Sequence, residues 1–411
     1  MLSMKSSITK EQAQSTLNLT EEILEEFGPR LTGTMACKKS GERLKLELDK
    51  YCTETFSEKF KCSRDAFLYF IRYFSISYLV AFIFLFIGGD WVYSAAVITC
   101  IGFMVAFFEF VLYWEFIDPI FKKVDAFNIS GIIEPEKETK KTVIISGHYD
   151  SPYVFSFLNK WQKLYKIRVG LNTLLYIAIT AISIASAWLQ FNSHIEFYLP
   201  NYVLLILGIG VIFMTQYFTF IGWDISPGAG DNLVSSLMVV KLSEHFYNNI
   251  ELGKPLKYTR LIFLCPDAEE SGLRGAREYV KRHKVTLASM PSYNINMDSI
   301  YRLQDLRFLK SEINGTIKLD DKLGKKCMQI SQSLGYNIPR IGMPFGGGST
   351  DSGEFEKAGI PSVSIIGLDT NFTDGNVPYH TKFDTVDKIE SKAVLACMQI
   401  VEQVILNIEK S

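Results

Sequence analysis

Histidine is scarce in this chain, 5 of 411 residues, and net charge is nearly absent: 43 Lys and Arg against 44 Asp and Glu leave −1. That balance excludes the broad basic face that nucleic-acid binding requires. Cysteine is present but unpatterned. Cys37, Cys52, Cys62, Cys100, Cys265, Cys327 and Cys397 are odd in number, scattered, and form no C-x-x-C. This argues against a zinc ribbon or a disulfide framework and for reduced thiols. The stretch MLSMKSSITKEQAQSTLNL lacks an apolar core and a cleavage pattern, so it does not read as a signal peptide. There is no internal repeat and no low-complexity tract.

What the chain has is apolar sequence, unevenly placed. Hydrophobic residues make up 48%, and mean hydropathy is positive although 21% of residues are charged. The surplus sits in four runs, residues 67–87, 91–114, 169–189 and 197–223, with aromatic residues crowding their ends. Each is about twenty residues long, the length an α-helix needs to cross a hydrocarbon core of about 30 Å. The linkers 88–90 and 190–196 are so short that each pair must be a hairpin returning the chain to the side it left. The tips carry no Lys or Arg. The opposite flanks carry Lys59, Lys61, Arg64, Lys122, Lys123, Lys160, Lys163, Lys166 and Arg168. The positive-inside bias puts that large side in the cytoplasm. Two charges fall inside the runs, Arg72 and Glu109; snorkelling or a mutual contact is the expected arrangement.

The remaining sequence alternates strand and helix patterns. Strands are expected at 126–132, 142–146, 260–264, 293–296 and 362–366. Helices are expected at 9–26, 37–51, 232–248, 272–283, 320–334, 352–358 and 391–407. Such alternation predicts an α/β three-layer sandwich around a mostly parallel central sheet, with two inserted transmembrane hairpins, four membrane helices in all. The charged stretch 134–141 reads as a hairpin turn. The predicted division is 1–66, 115–168 and 224–411 for one catalytic domain, interrupted by hairpins at 67–114 and 169–223.

Acidic and imidazole residues recur at the ends of these strands. His148 and Asp150 follow the strand at 142–146, Asp231 precedes a helix, Glu269 and Glu270 follow RLIFL, Asp298 follows YNINM, and His380 lies in VPYHTKFDT. In an open α/β sheet, ligands gather beyond the carboxyl ends of the strands. A lone H-x-D or Glu-Glu is ordinarily a surface pair; the recurrence at successive strand ends is the signal. His194, His245 and His283 have no such company and read as a hairpin-tip residue and two helix-surface residues. FGGGST, residues 345–350, lacks the Gly-Lys pair of a phosphate loop and reads as a flexible wall of the cleft.

The ordered set FGPRLTGT, SGHYDSP, GAGDN, EESGLRGA, NMDS, STDSGEFEKAGIPSV and YHTKFDT resembles the zinc aminopeptidases of the aminopeptidase Y type. That family also holds glutamate carboxypeptidases and glutaminyl cyclases. The resemblance implies two zinc ions per chain, held by His148, Asp231, Glu270, Asp298 and His380, with Asp231 bridging and Glu269 as general base. It departs at Ser352, where the family often has His after Asp. Independently of the resemblance, three carboxylates and two neutral imidazoles leave two divalent ions net positive, which suits activation of a water. Asp150 is placed to orient the His148 imidazole. The expected function is a membrane-bound di-zinc metallopeptidase, an aminopeptidase that hydrolyses peptides with a metal-bound hydroxide and Glu269 as general base; exopeptidase rather than endopeptidase action is what the resemblance alone implies. Two rivals stand beside it: a glutaminyl-cyclase-like acyl transferase with one zinc, and a non-catalytic membrane scaffold of the same fold. Because His148 and Asp231 flank the second hairpin, the metal site is expected near the bilayer surface. That placement would restrict substrates to peptides near the membrane or serve a larger assembly, a homo-oligomer included.

Overall fold

The computed structural model describes residues 6–344, 346–369 and 375–411. Residues 1–5 of the N-terminal stretch and Phe345 of FGGGST lie outside the described residues. The strands are β1 (Glu54–Cys62), β2 (Val124–Ile133), β3 (Lys141–Ser146), β4 (Tyr153–Phe155), β5 (Ile221–Ile225), β6 (Thr259–Cys265), β7 (Ser292–Ile300), β8 (Arg307–Leu309), β9 (Ser311–Glu312), β10 (Ile317–Lys318), β11 (Arg340–Ile341) and β12 (Ser362–Gly367). The helices are α1 (Lys10–Phe27), α2 (Met35–Leu48), α3 (Tyr69–Ile87), α4 (Trp91–Val105), α5 (Ser156–Asn159), α6 (Tyr165–Ser193), α7 (Asn201–Phe218), α8 (Val234–Glu251), α9 (Arg274–Ala288), α10 (Asp321–Ser333), α11 (Ser352–Lys357) and α12 (Ser391–Lys410).

Eight strands form one sheet in the order β1-β2-β6-β3-β7-β12-β8-β11. Its centre, β6-β3-β7-β12, is parallel, while β1, β2 and β8 pair antiparallel with their inner neighbours. The central strands are buried at nearly every position because both faces are covered. Val143 and Ile145 point into the core under α1, α2, α8 and α12, while Ile144 points to α9 and α11. Leu261 and Phe263 alternate in the same way with Ile262 and Leu264. The mostly parallel α/β sandwich is as expected. Two local expectations are corrected. The stretch 134–141 is not a hairpin turn, because β2 and β3 do not pair: β6 lies between them. His245 is not on a helix surface but buried, its Nε2 3.0 Å from Glu402 Oε1.

Among the described residues, five helices are long and apolar enough to cross a membrane. Four are the expected runs, the second extended by a widened, π-type turn at Ala106–Val111. The fifth is α12, whose apolar window is 61% buried against 22–39% for the others, since it packs against the sheet core. The four form a bundle fastened by polar groups. Tyr176 Oη lies 2.9 Å from Ser77 Oγ and donates to the Thr99 carbonyl, while Tyr78 donates to the Leu207 carbonyl. Both phenols occupy space left by glycine: a Cβ at Gly102 would lie 2.0 Å from the Tyr176 oxygen, and one at Gly210 2.1 Å from that of Tyr78. Small residues that admit close approach, with polar side chains bonding across helices, are how apolar helices associate. Elsewhere the bundle presents Leu79, Phe86, Val97, Leu174, Trp188, Leu205 and Ile212 outward.

Glu109 and Arg72 do not meet. Arg72 donates to the Ile221 carbonyl and lies over the Trp223 ring, whereas Glu109 is bonded to Arg274, which follows the Glu269-Glu270 pair. Arg274 is 1% exposed and also pairs with Asp118 at 2.8 Å. Removing one partner of such a buried set typically costs about 3–5 kcal/mol, because the others stay buried without their counter-charge. The end of the first hairpin is therefore fixed to a loop of the sheet.

Candidate metal centre

Strands β3, β6 and β7 run parallel, so their carboxyl ends share one edge of the sheet, and the expected residues meet there. His148 and Asp150 leave β3. Glu269 and Glu270 leave β6. Asp298 lies near the end of β7. Asp231 sits in the turn entering α8, and His380 comes from the loop after β12. The backbone is unusual around this edge. Ala268, Leu273, Ser299 and His380 all have positive φ, 51–64° by residue, and the Asp231–Asn232 peptide is cis. Non-glycine residues in that region cluster at functional sites.

His148 Nε2 lies 3.6 Å from Asp231 Oδ1 and 3.9 Å from Asp298 Oδ2. His380 Nε2 lies 3.2 Å from Asp231 Oδ2 and 3.4 Å from Glu270 Oε2. The atoms thus form two triads, His148–Asp231–Asp298 and Asp231–Glu270–His380, each with all ligand atoms within 4.8 Å, and Asp231 gives one oxygen to each. Ligand atoms about 2.0–2.2 Å from a shared tetrahedral zinc stand about 3.3–3.6 Å apart, so the spacing fits. His148 Nε2 and Asp231 Oδ2 are buried with no hydrogen-bond partner among the described residues, which a metal bond would supply. The residues present fit two zinc ions. Glu269 Oε2 lies 3.7 Å from His148 Nε2, and His148, Glu269 and Glu270 form a third group of possible ligand atoms within 4.8 Å of one another.

Second contacts fix this set. The His148 Nδ1 edge is 3.2 Å from Asp150 Oδ1, and the Asp150 carboxylate also accepts from the Glu269 and Glu270 backbone N–H groups and from Thr32. Ser299 donates to both Asp231 and Asp298. Sequence reasoning missed three supports. Asp384 accepts from the N–H groups of Gly230 and Asp231. Asp267 accepts from Thr32, Ala268 and Phe127. Arg30, fully buried, donates to the carbonyls of Tyr149, Pro227 and Gly228, tying the His148 loop to the Asp231 turn. Arg30 lies in FGPRLTGT and Asp384 in YHTKFDT, and Asp267 stands two residues before Glu269; that adjacency is the available signal.

Burial and crowding shift the titrations. Burial would push the Asp231 carboxyl up, but the two imidazoles outweigh it and hold it below the ordinary range. Burial raises Glu270 to about 7, with His380 opposing and Asp231 adding. Burial also holds Glu269 and Asp298 well above the carboxylate range. For His380, burial works downward, yet Glu270 and Asp231 hold it up at about 10.

The signs for the metal-free protein agree. An imidazole raised in the folded state gives stability that is full below its unfolded value and lost as pH climbs through the folded one. A raised carboxyl makes folding costlier once it must ionise. Glu270 and, by burial, Asp351 and Asp384 reach about 7, so they act in the same direction as His380. Metal-free stability should therefore fall between about pH 5 and 9, while the gain from added zinc, which competes with those protons, grows. Thermal unfolding with chelator and with zinc across that interval tests this; metal-free stability that rises with pH would contradict it.

The fold is shared with solved zinc exopeptidases and glutaminyl cyclases. The chain aligns with a Zn-dependent exopeptidase from Parabacteroides distasonis at 14% identity and TM-score 0.56, covering 97% of this chain and 98% of that one. It aligns with a zinc aminopeptidase from Bacillus subtilis at 15% and 0.56, covering 98% and 96%. With a Bacteroides thetaiotaomicron glutaminyl cyclase the values are 14% and 0.56, covering 96% and 97%. At such identities the likeness establishes the fold. No curated protein sequence matches. Residues 216–405 match the model of Peptidase family M28.

Proposed function

We propose that the chain is a membrane-embedded aminopeptidase with two zinc ions. His148, Asp231 and Asp298 hold one, and Asp231, Glu270 and His380 the other. The observation that carries this reading is the pair of triads sharing the Asp231 carboxylate. Two zinc ions bound there supply Lewis-acid activation of a water and of the scissile carbonyl. Glu269 takes the proton of the attacking water and returns it to the leaving amine; its burial and raised affinity for a proton suit a group that carries one briefly. Asp150 keeps the His148 ring in orientation and holds the backbone of Glu269 and Glu270. The second triad favours this reading over a one-zinc acyl transferase on the same fold. The intact acids favour it over a non-catalytic scaffold.

Four of the apolar helices, in the hairpins 67–114 and 169–223, cross a bilayer in this reading, and the sheet domain lies on the cytoplasmic side. Outward-facing apolar side chains along the bundle and basic residues at its sheet-side end support it.

Zinc-loaded protein should hydrolyse unblocked peptides, and chelator should abolish this. Glu269→Gln should lower turnover by at least about a hundredfold with metal retained; unchanged turnover would remove Glu269 from its role. Failure on a broad peptide library, with cyclisation of N-terminal glutamine, would favour acyl transfer. The side is read by Gly89→Cys at the first hairpin tip. Labelling of intact cells by an impermeant thiol reagent is expected; labelling only after lysis would reverse the orientation.

A further inference from the structure

The loops that carry candidate ligands rest on the roots of both apolar hairpins. His380 makes the closest contact. Its imidazole lies 4.3 Å from the Phe155 ring, and its carbonyl accepts the Phe155 N–H. Phe155 lies in turn 4.8 Å from Phe220, two residues beyond the end of α7. Both rings belong to the apolar cluster of the bundle, and Tyr379, next to His380, packs against that cluster and the sheet core alike. This candidate ligand is thus two ring contacts from the end of an apolar helix. The first hairpin reaches the Glu269-Glu270 loop. Glu109 pairs with Arg274, four residues after Glu270, and the Tyr113 carbonyl accepts from Arg277.

Exposed aromatic side chains mark the depth of this edge. In the β4–β5 ladder Phe155 pairs with Ile221 and Tyr153 with Ile225, so Trp223 stands at their level. Trp223 is 84% exposed, with the Arg72 guanidinium over its ring. The next residue, Asp224, pairs with Lys382 at 2.7 Å, and Phe383 beyond that lysine is 62% exposed. Lys382 and Phe383 follow His380 in the same loop. Large exposed rings beside charged side chains, at the foot of apolar helices, suit the polar–apolar boundary of a bilayer, where such rings concentrate.

The headgroup zone on each side of a bilayer is about 5–8 Å deep. With the hairpins across the hydrocarbon core, a ligand two ring contacts beyond α7 lies at about headgroup level. We infer that the metal edge sits at the headgroup level of the bilayer the hairpins cross, and that it acts on short N-terminal tails of peptides anchored in that same membrane. Anchoring in one surface raises the local concentration of a tail to about millimolar. A tail of about six residues extends about 20 Å, enough to enter a site at that depth and too little for one far above it. The inference rests on the peptidase and membrane readings above and names their substrate class.

The test uses the zinc-loaded full chain in lipid vesicles, with peptides that carry a free N-terminus and a C-terminal diacyl anchor. A tail of about six residues should be cleaved at least about tenfold faster when its anchor shares the vesicle than when it sits in separate vesicles. It should be cleaved no more slowly than a tail of about thirty residues, since both reach the site. Equal rates in shared and separate vesicles, or cleavage of the long tail alone, overturn the inference. Depth is also read without turnover. Lipids brominated near the glycerol should quench the part of the fluorescence that Trp223→Phe removes, and absence of that quenching overturns the placement. Quenching with no peptide cleaved in any format upholds the placement and defeats the peptidase reading. A chain that washes off the vesicles defeats the membrane reading and this inference with it.

Discussion

Concentrated buried negative charge is the constraint on which the rest of the structure depends. Asp150, Asp231, Asp267, Asp298, Asp351 and Asp384 are all buried in one neighbourhood, with Glu269 and Glu270 at its edge. In a low-dielectric interior such a group of acids repels itself and clings to protons, as the upward shifts of Glu270, Asp267 and Asp384 record. The fold meets part of the demand itself. Backbone N–H groups serve Asp150, Asp267 and Asp384, and Ser299 serves Asp231 and Asp298. The inward-facing atoms of His148 and Asp231 are left over, and divalent cations are what would satisfy them.

The apolar hairpins are tied to that same edge. The second leaves and re-enters the sheet domain through the β4–β5 ladder, where Phe155 donates its N–H to the His380 carbonyl and its ring lies 4.3 Å from the imidazole. Its base therefore packs on a candidate ligand. The first is fixed through Glu109, Asp118 and Arg274 to the loop that carries Glu269 and Glu270. Gln190 donates to Asp90, joining the two tips.

What the sequence made legible, and what it hid, follows from locality. The central strands were readable because burial on both faces writes an unbroken apolar run, as in VIIS and RLIFL. β1 was not: ETFSEKFKC lies at the sheet edge, largely exposed, and its polar composition carries no strand signal. The turn at 134–141 was misread because pairing order is set by β6, more than a hundred residues away in sequence. Candidate ligands stood out because His and acids at successive strand ends form a pattern. Arg30 and Arg274 did not, since a buried guanidinium looks in sequence like any surface one, and its partners are chosen by tertiary contact. Hence the sequence offers snorkelling or a contact with Arg72 for Glu109, and hides Arg274.

The most direct test of the central claim is a count of bound metal. Elemental analysis of purified, zinc-loaded protein should give close to two ions per chain. Asp298→Ala and His380→Ala should each reduce the count toward one, and Asp231→Ala should deplete both sites. A wild-type chain that retains no ion under any loading condition, or whose count is indifferent to all three substitutions, would contradict the claim.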